Sequence, residues 1–119
     1  MKQEFVPYEV ALRLKALGFD EPCIGYRDGG GNLMINYTPH SVISAPTYSQ
    51  AFRWFREKYS LIGSIDYSNR LKWYYVLREF ITSDILPNLN TSSKGEFKSY
   101  GEAELACLDK LLEIVESKK

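Results

Sequence analysis

Residues 61–80 read LIGSIDYSNRLKWYYVLREF, and their reading decides the fold class. Two apolar runs, LIGSIDYS and LKWYYVLREF, flank Asn69-Arg70, so the stretch reads as two strands and a tight reversal. The reversal lacks the Asn-Gly pair that two-residue hairpins favour. Along the second run Trp73, Tyr75 and Leu77 share one face, and Lys72, Tyr74, Val76 and Arg78 share the other. Apolar side chains occur on both faces, so the second face is either partly covered or open for binding.

Outward from this hairpin the chain supplies a second one and three helices. PCIGYRD and NLMINYT flank Gly29-Gly30-Gly31, a turn able to supply positive φ. A helix over Pro7–Leu17 starts on a first-turn proline, stops at Gly18 and carries Val10, Leu14 and Leu17 as its apolar stripe. A second helix spans Tyr48–Tyr59 with Thr47 as its N-cap after Pro46. A third begins near Tyr100, where Ser99 and Glu102 form a capping box. Its broad arc of Ala103, Cys107, Leu108, Leu111, Leu112, Ile114 and Val115 implies burial against a sheet, with Asp109, Glu113 and Glu116 opposite. Glu104 points into that arc, a position its place in the first turn accommodates. Each helix opens with Tyr three residues before Ala, which sets both on one face.

Residues 82–95, TSDILPNLNTSSKG, carry turn formers without periodicity and read as a mobile loop, with a short strand around Phe97 beyond it. The expected fold is α+β, a single domain over residues 1–119 in the order α-β-β-α-β-β-α. Its expected core is one mostly antiparallel four-stranded sheet with the three helices packed on it.

Composition narrows the function classes. The chain has 119 residues, enough for a core without staples. Fifteen basic and fifteen acidic side chains cancel, which removes the global basic footprint of a dedicated nucleic-acid binder. Neutrality also permits self-association. Two isolated cysteines, Cys23 and Cys107, read as small packing residues rather than a disulfide. The start MKQEFVPYEV has no apolar run after its charge, and no run reaches the length of a membrane span. The expected location is therefore cytoplasmic, with the Asn36 and Asn90 sequons unused.

No catalytic or metal-binding constellation stands out, and no cofactor is expected. His40 is the only histidine, set among loop serines Ser41 and Ser44 without a nucleophile-elbow pattern or ligand-spaced partners. The DGGGN run at 28–32 lacks the Lys-Ser/Thr of a phosphate loop. Asp66, Glu79 and Asp84 are too loosely spaced to be paired carboxylates. The strongest functional feature is the second helix. Tyr48, Ala51, Phe52, Phe55 and Tyr59 form one apolar face, whereas Trp54 lies about 60° beyond its Ala51 edge, between Gln50 and Lys58. Arg53 and Arg56 lie on the polar side. Trp and Arg recur at interaction hot spots and also stack on bases. The candidate binding residues are accordingly Trp54, Arg53, Arg56, Trp73 and Tyr74, with packing of Trp54 over a neighbouring strand or loop as the competing reading.

The stretches FVPYEVALRLKALGFDEPCIGY, SAPTYSQAFRWFREKYSL and SYGEAELACLDKLLEIV together resemble a family of small uncharacterised proteins. Its members are encoded by phages, prophages and mobile elements of gut Bacteroidales-type bacteria. The resemblance covers most of the chain but not the Gly29–Gly31 turn or residues 82–95. It implies a phage-related origin and action inside the host cell, and it transfers no activity or catalytic residue. The expected function is non-enzymatic interaction with an unknown protein partner or with itself. The alternative is nucleic-acid or nucleotide binding through Arg53, Arg56, Lys58 and nearby aromatics.

Overall fold

The computed structural model describes residues 4–35, 42–69, 72–79, 90–92 and 97–117. The fold is α+β, and the described residues form three helices and two antiparallel sheets. The chain divides within its second helix into two compact units, Met1–Ala51 and Phe52–Lys119.

In the first unit, α1 (Tyr8–Ala16) precedes β1 (Gly25–Asp28), β2 (Leu33–Ile35) and β3 (Val42–Ala45). The sheet order is β2-β1-β3, with β1 antiparallel to both neighbours. α1 packs on β1 and β3, burying Val10, Ala11 and Leu14. Gly18 at φ 100 ends the helix, and the Phe19 N–H reaches back to the Leu14 carbonyl at 3.0 Å. The DGGGN stretch is the expected turn. Asp28 Oδ1 accepts from the Gly30 and Asn32 N–H groups, both at 2.9 Å, and Gly31 sits at φ 83. These bonds hold the Asp28 carboxyl below its ordinary range, Asn32 contributing most.

Arg27 is the tie of this unit. It is 8 % exposed, and its guanidinium donates to the carbonyls of Val6 at 3.1 Å, Gly31 at 2.9 Å and Phe5 at 3.2 Å. A guanidinium carries five donors in a fixed fork, so one side chain can hold both the N-terminal segment and the turn.

The second helix, α2 (Tyr48–Tyr59), opens on the expected cap: Thr47 Oγ1 accepts from the Gln50 N–H at 3.1 Å. It ends at Ser60, which takes the left-handed conformation at φ 57 and turns the chain straight into the next strand.

In the second unit, β4 (Leu61–Ser68) and β5 (Lys72–Glu79) pair in one unbroken antiparallel register, from Leu61↔Glu79 to Ser68↔Lys72. β6 (Asn90–Ser92) pairs with the outer side of β5, giving the order β4-β5-β6. Phe97, where a short strand is expected, forms an antiparallel bridge to Trp73, and residues 93–96 before it lie outside the described set. α3 (Tyr100–Ser117) packs on β4 and β5 with Ala103, Cys107, Leu108, Leu111, Leu112 and Val115 buried. Its capping box is shifted by one residue. Ser99 Oγ accepts from the Glu102 N–H at 3.2 Å, but Glu102 Oε2 accepts from the Lys98 N–H at 2.9 Å.

Three expectations require correction. Among the described residues the expected single four-stranded sheet is two sheets, one in each unit, each with three strands. The additional strand β3 falls in the segment read as a loop before α2. Residues 82–95 are not one loop, since Asn90–Ser92 is strand β6; residues 82–89 and 93–95 lie outside the described set.

Candidate interaction surface

The β4–β5 ladder fixes which side chains share a face. Directly opposed residues in an antiparallel pair point the same way. One face therefore carries Leu61, Gly63, Ile65 and Tyr67 with Trp73, Tyr75 and Leu77. α3 covers this face: a Cβ built on Gly63 would lie 2.8 Å from Cys107 Sγ and 3.3 Å from Leu111 Cδ1. Leu61 and Leu77 are fully buried there. Nearer the hairpin end the same face carries an aromatic cluster. Trp73 meets Tyr67 edge-on at 5.1 Å and Tyr100 at 5.5 Å, while Tyr75 stacks on Phe97 at 6.1 Å. Tyr67 and Tyr100 stay about half exposed, at 49 % and 48 %. Tyr75 is pushed up in pKa mainly by burial, with Cys107, Glu113 and Asp109 adding to it.

The opposite face carries Ile62, Ser64, Asp66 and Ser68 with Lys72, Tyr74, Val76 and Arg78. Ser64, Asp66, Lys72 and Arg78 are exposed, and Ile62, Tyr74 and Val76 are half-buried. The Tyr74 hydroxyl donates to Asp66 Oδ2 at 3.4 Å. This is a mixed surface of apolar side chains and both charge signs.

The edge of the sheet is equally specific. The Trp73 carbonyl accepts from the Phe97 N–H at 3.1 Å, so the polar backbone groups of Trp73 point away from β4. Trp73 and Tyr67 are therefore a pair that does not exchange hydrogen bonds, and the Tyr67 N–H points off the edge of β4 that has no strand partner among the described residues. The unbroken register extends this alternation to Ile65, Gly63 and Leu61. Asp66 Oδ1 accepts from the Tyr67 N–H at 2.8 Å, so this edge donor is closed by the preceding side chain.

The five candidate binding residues do not converge on one surface. Trp54 is 5 % exposed and belongs to the buried side of α2 with Ala51 and Phe55, since Ala51 precedes Trp54 by three residues and Phe55 by four. Its ring meets Phe55 at 5.1 Å and Tyr59 at 5.4 Å, and Lys58 Nζ lies 5.2 Å from its centroid. The apolar face drawn through Phe52 and Tyr59 is thus rotated towards Trp54, since those two residues are only half-buried. Arg53 and Arg56 are exposed, and Arg53 Nε lies 3.6 Å from Glu57 Oε1. Trp73 and Tyr74 occupy opposite faces of β5. Tyr74 alone of the five shares the open sheet face.

The remaining candidates fall partly outside the described residues. His40 and Ser41 lie outside the described residues, as does Asp84. Among the described residues no group of three or more His, Cys, Asp or Glu side chains could hold a metal ion, and no helix is long and apolar enough to cross a membrane. Cys107 is fully buried, its thiol pushed up to about 12 by burial and by Glu104. Cys23 is raised to about 11 by burial and by Glu21, so neither thiol supplies thiolate near neutrality. Glu104 is half-buried rather than exposed, and burial raises its pKa. A cavity of about 260 Å³ in the first unit is lined by Lys15, Phe19, Glu21, Ile43 and Ser44 among others. No protein-family model, no curated protein and no solved structure matches the chain.

Proposed function

We propose that the chain is a non-enzymatic interaction protein of phage type, acting in the host cytoplasm by binding a protein partner or itself through the second sheet. The observation that carries the reading is the β4–β5 hairpin, which leaves one face uncovered by α3 and one long strand edge unpaired among the described residues. An open face mixing Tyr74, Val76 and Ile62 with exposed Asp66, Lys72 and Arg78 has the composition of a protein interface rim and centre. An eight-residue edge offers main-chain hydrogen bonds to an added strand. The burial of Trp54 and the Arg53–Glu57 ion pair shift the reading from α2 to the sheet.

The test is capture by the immobilised chain from lysate of its source cells, together with self-association in solution. Tyr74→Ser combined with Val76→Ser should weaken capture of a partner through the open face while leaving the melting temperature within a few degrees. Absence of both a captured partner and self-association would overturn the reading. So would binding of single-stranded oligonucleotides that falls steeply with salt, the signature of the nucleic-acid alternative.

A further inference from the structure

We propose that β4 pairs edge to edge with β4 of a second copy of this chain, antiparallel about a two-fold axis at Ile65. The inference rests on the protein-interaction reading and names the partner. Natural sheets guard long edges with proline, lysine, bulges or short strands. Leu61–Ser68 contains no proline and no basic residue, and its register with β5 has no bulge. Its outward N–H and C=O groups belong to Leu61, Gly63, Ile65 and Tyr67. The formal net charge of zero leaves no overall repulsion between copies.

Self-pairing restricts its own register. Edge hydrogen bonds join outward residues to outward residues, so Leu61, Gly63, Ile65 and Tyr67 must oppose members of the same set. A two-fold at Asp66 would set two carboxylates directly opposite, which is unfavourable. A two-fold at Ser64 would set Asp66 against Ile62. A two-fold at Ile65 sets Ser64 opposite Asp66 twice, Gly63 opposite Tyr67 twice, and Ile65 opposite itself. Of these three registers only the one at Ile65 gives Asp66 a hydroxyl donor across the interface, and it pairs more of β4 than a two-fold nearer the end of the strand.

Asp66 then works as a latch. In the single chain its carboxylate accepts from the Tyr67 N–H. On pairing, that N–H donates to the Gly63 carbonyl of the second copy, and the carboxylate accepts from the Ser64 hydroxyl of the second copy. The product is one continuous sheet of six strands, with both copies of α3 on the same side because the axis is perpendicular to the sheet.

Sedimentation equilibrium of the full chain over micromolar to millimolar concentration tests this. The wild type should show a monomer–dimer equilibrium. Ser64→Asp places like charges opposite each other at two symmetry-related positions and should weaken the dimer by about five-fold. Ser64→Asp combined with Asp66→Lys should restore it. Ser64 and Asp66 are exposed, so melting of the diluted monomer serves as the folding control. A chain that stays monomeric throughout overturns the second-copy assignment, even if it still captures another protein and so keeps the interaction reading. A dimer indifferent to both substitutions overturns the β4 edge and its register.

Discussion

Gly63→Ala probes how closely α3 lies on β4. The added Cβ would sit 2.8 Å from Cys107 Sγ, 3.1 Å from Phe52 Cε1 and 3.3 Å from Leu111 Cδ1. Optimal contacts lie at about 3.5–4.0 Å, so the sulfur must move by close to ~1 Å. It has little freedom to do so, because Cys107 and Leu111 are both fully buried. Overpacking of this kind costs about 1–3 kcal/mol. Alanine recovers roughly 0.5–1 kcal/mol of backbone entropy, since the glycine is not in the left-handed region. The net loss of about 1–2 kcal/mol should lower Tm by roughly 4–10 °C for a chain of this length. Cys107→Ala removes the obstructing sulfur, so the double variant should be more stable than the two single effects added together, by about 1 kcal/mol. Thermal and urea unfolding of the four proteins closes the cycle. An unchanged or raised Tm for Gly63→Ala, or strict additivity with Cys107→Ala, would refute the packing described for this face.

Other substitutions test other parts of the account. Arg27→Ala strands the carbonyls of Val6, Phe5 and Gly31, and should cost about 3 kcal/mol in urea unfolding. Ser60→Gly relieves a left-handed serine at the end of α2 and should stabilise by roughly 0.5–1 kcal/mol, read as a raised Tm. Burial raises the pKa of Glu104 above its ordinary value, so the folded state binds more protons than the unfolded one between those two values. Stability therefore rises as pH falls through the raised pKa. Glu104→Gln should stabilise at neutral pH and lose that advantage below the ordinary carboxylate pKa, which urea unfolding against pH would show.

The sequence carried its local elements well and its long-range pairings poorly. α1 and the two caps at Thr47 and Ser99 rest on short-range chemistry, and each sits where its residues imply. The alternation of Trp73, Tyr75 and Leu77 against Tyr74 and Val76 likewise follows from the pleat alone. β3 did not show because four residues between serines and Pro46 have no periodicity of their own; their strand character comes from pairing with β1. β6 is shorter still, and its polar letters Asn-Thr-Ser are those of a turn. The division into two sheets was invisible for the same reason, since two hairpins read locally do not say whether they join.

At the candidate site, Trp54 was misplaced by a narrow angle. A helix buried over a wide arc takes in a residue that a stripe through Phe52 and Tyr59 excludes. Arg27 gave no signal, because a lone arginine in a strand looks like a solvated charge until its three carbonyl partners are in place. The edge direction of β4 depends on the Phe97–Trp73 bridge, which no spacing in the sequence announces.

Amide exchange along β4 is the most direct measurement of the interaction surface. NMR should find the Ser64 and Asp66 amides, directed to β5, slow at every concentration. The Gly63 and Ile65 amides should exchange fast in dilute solution and slow markedly as concentration rises into the dimer range. Fast exchange at Gly63 and Ile65 at every concentration would contradict pairing along this edge.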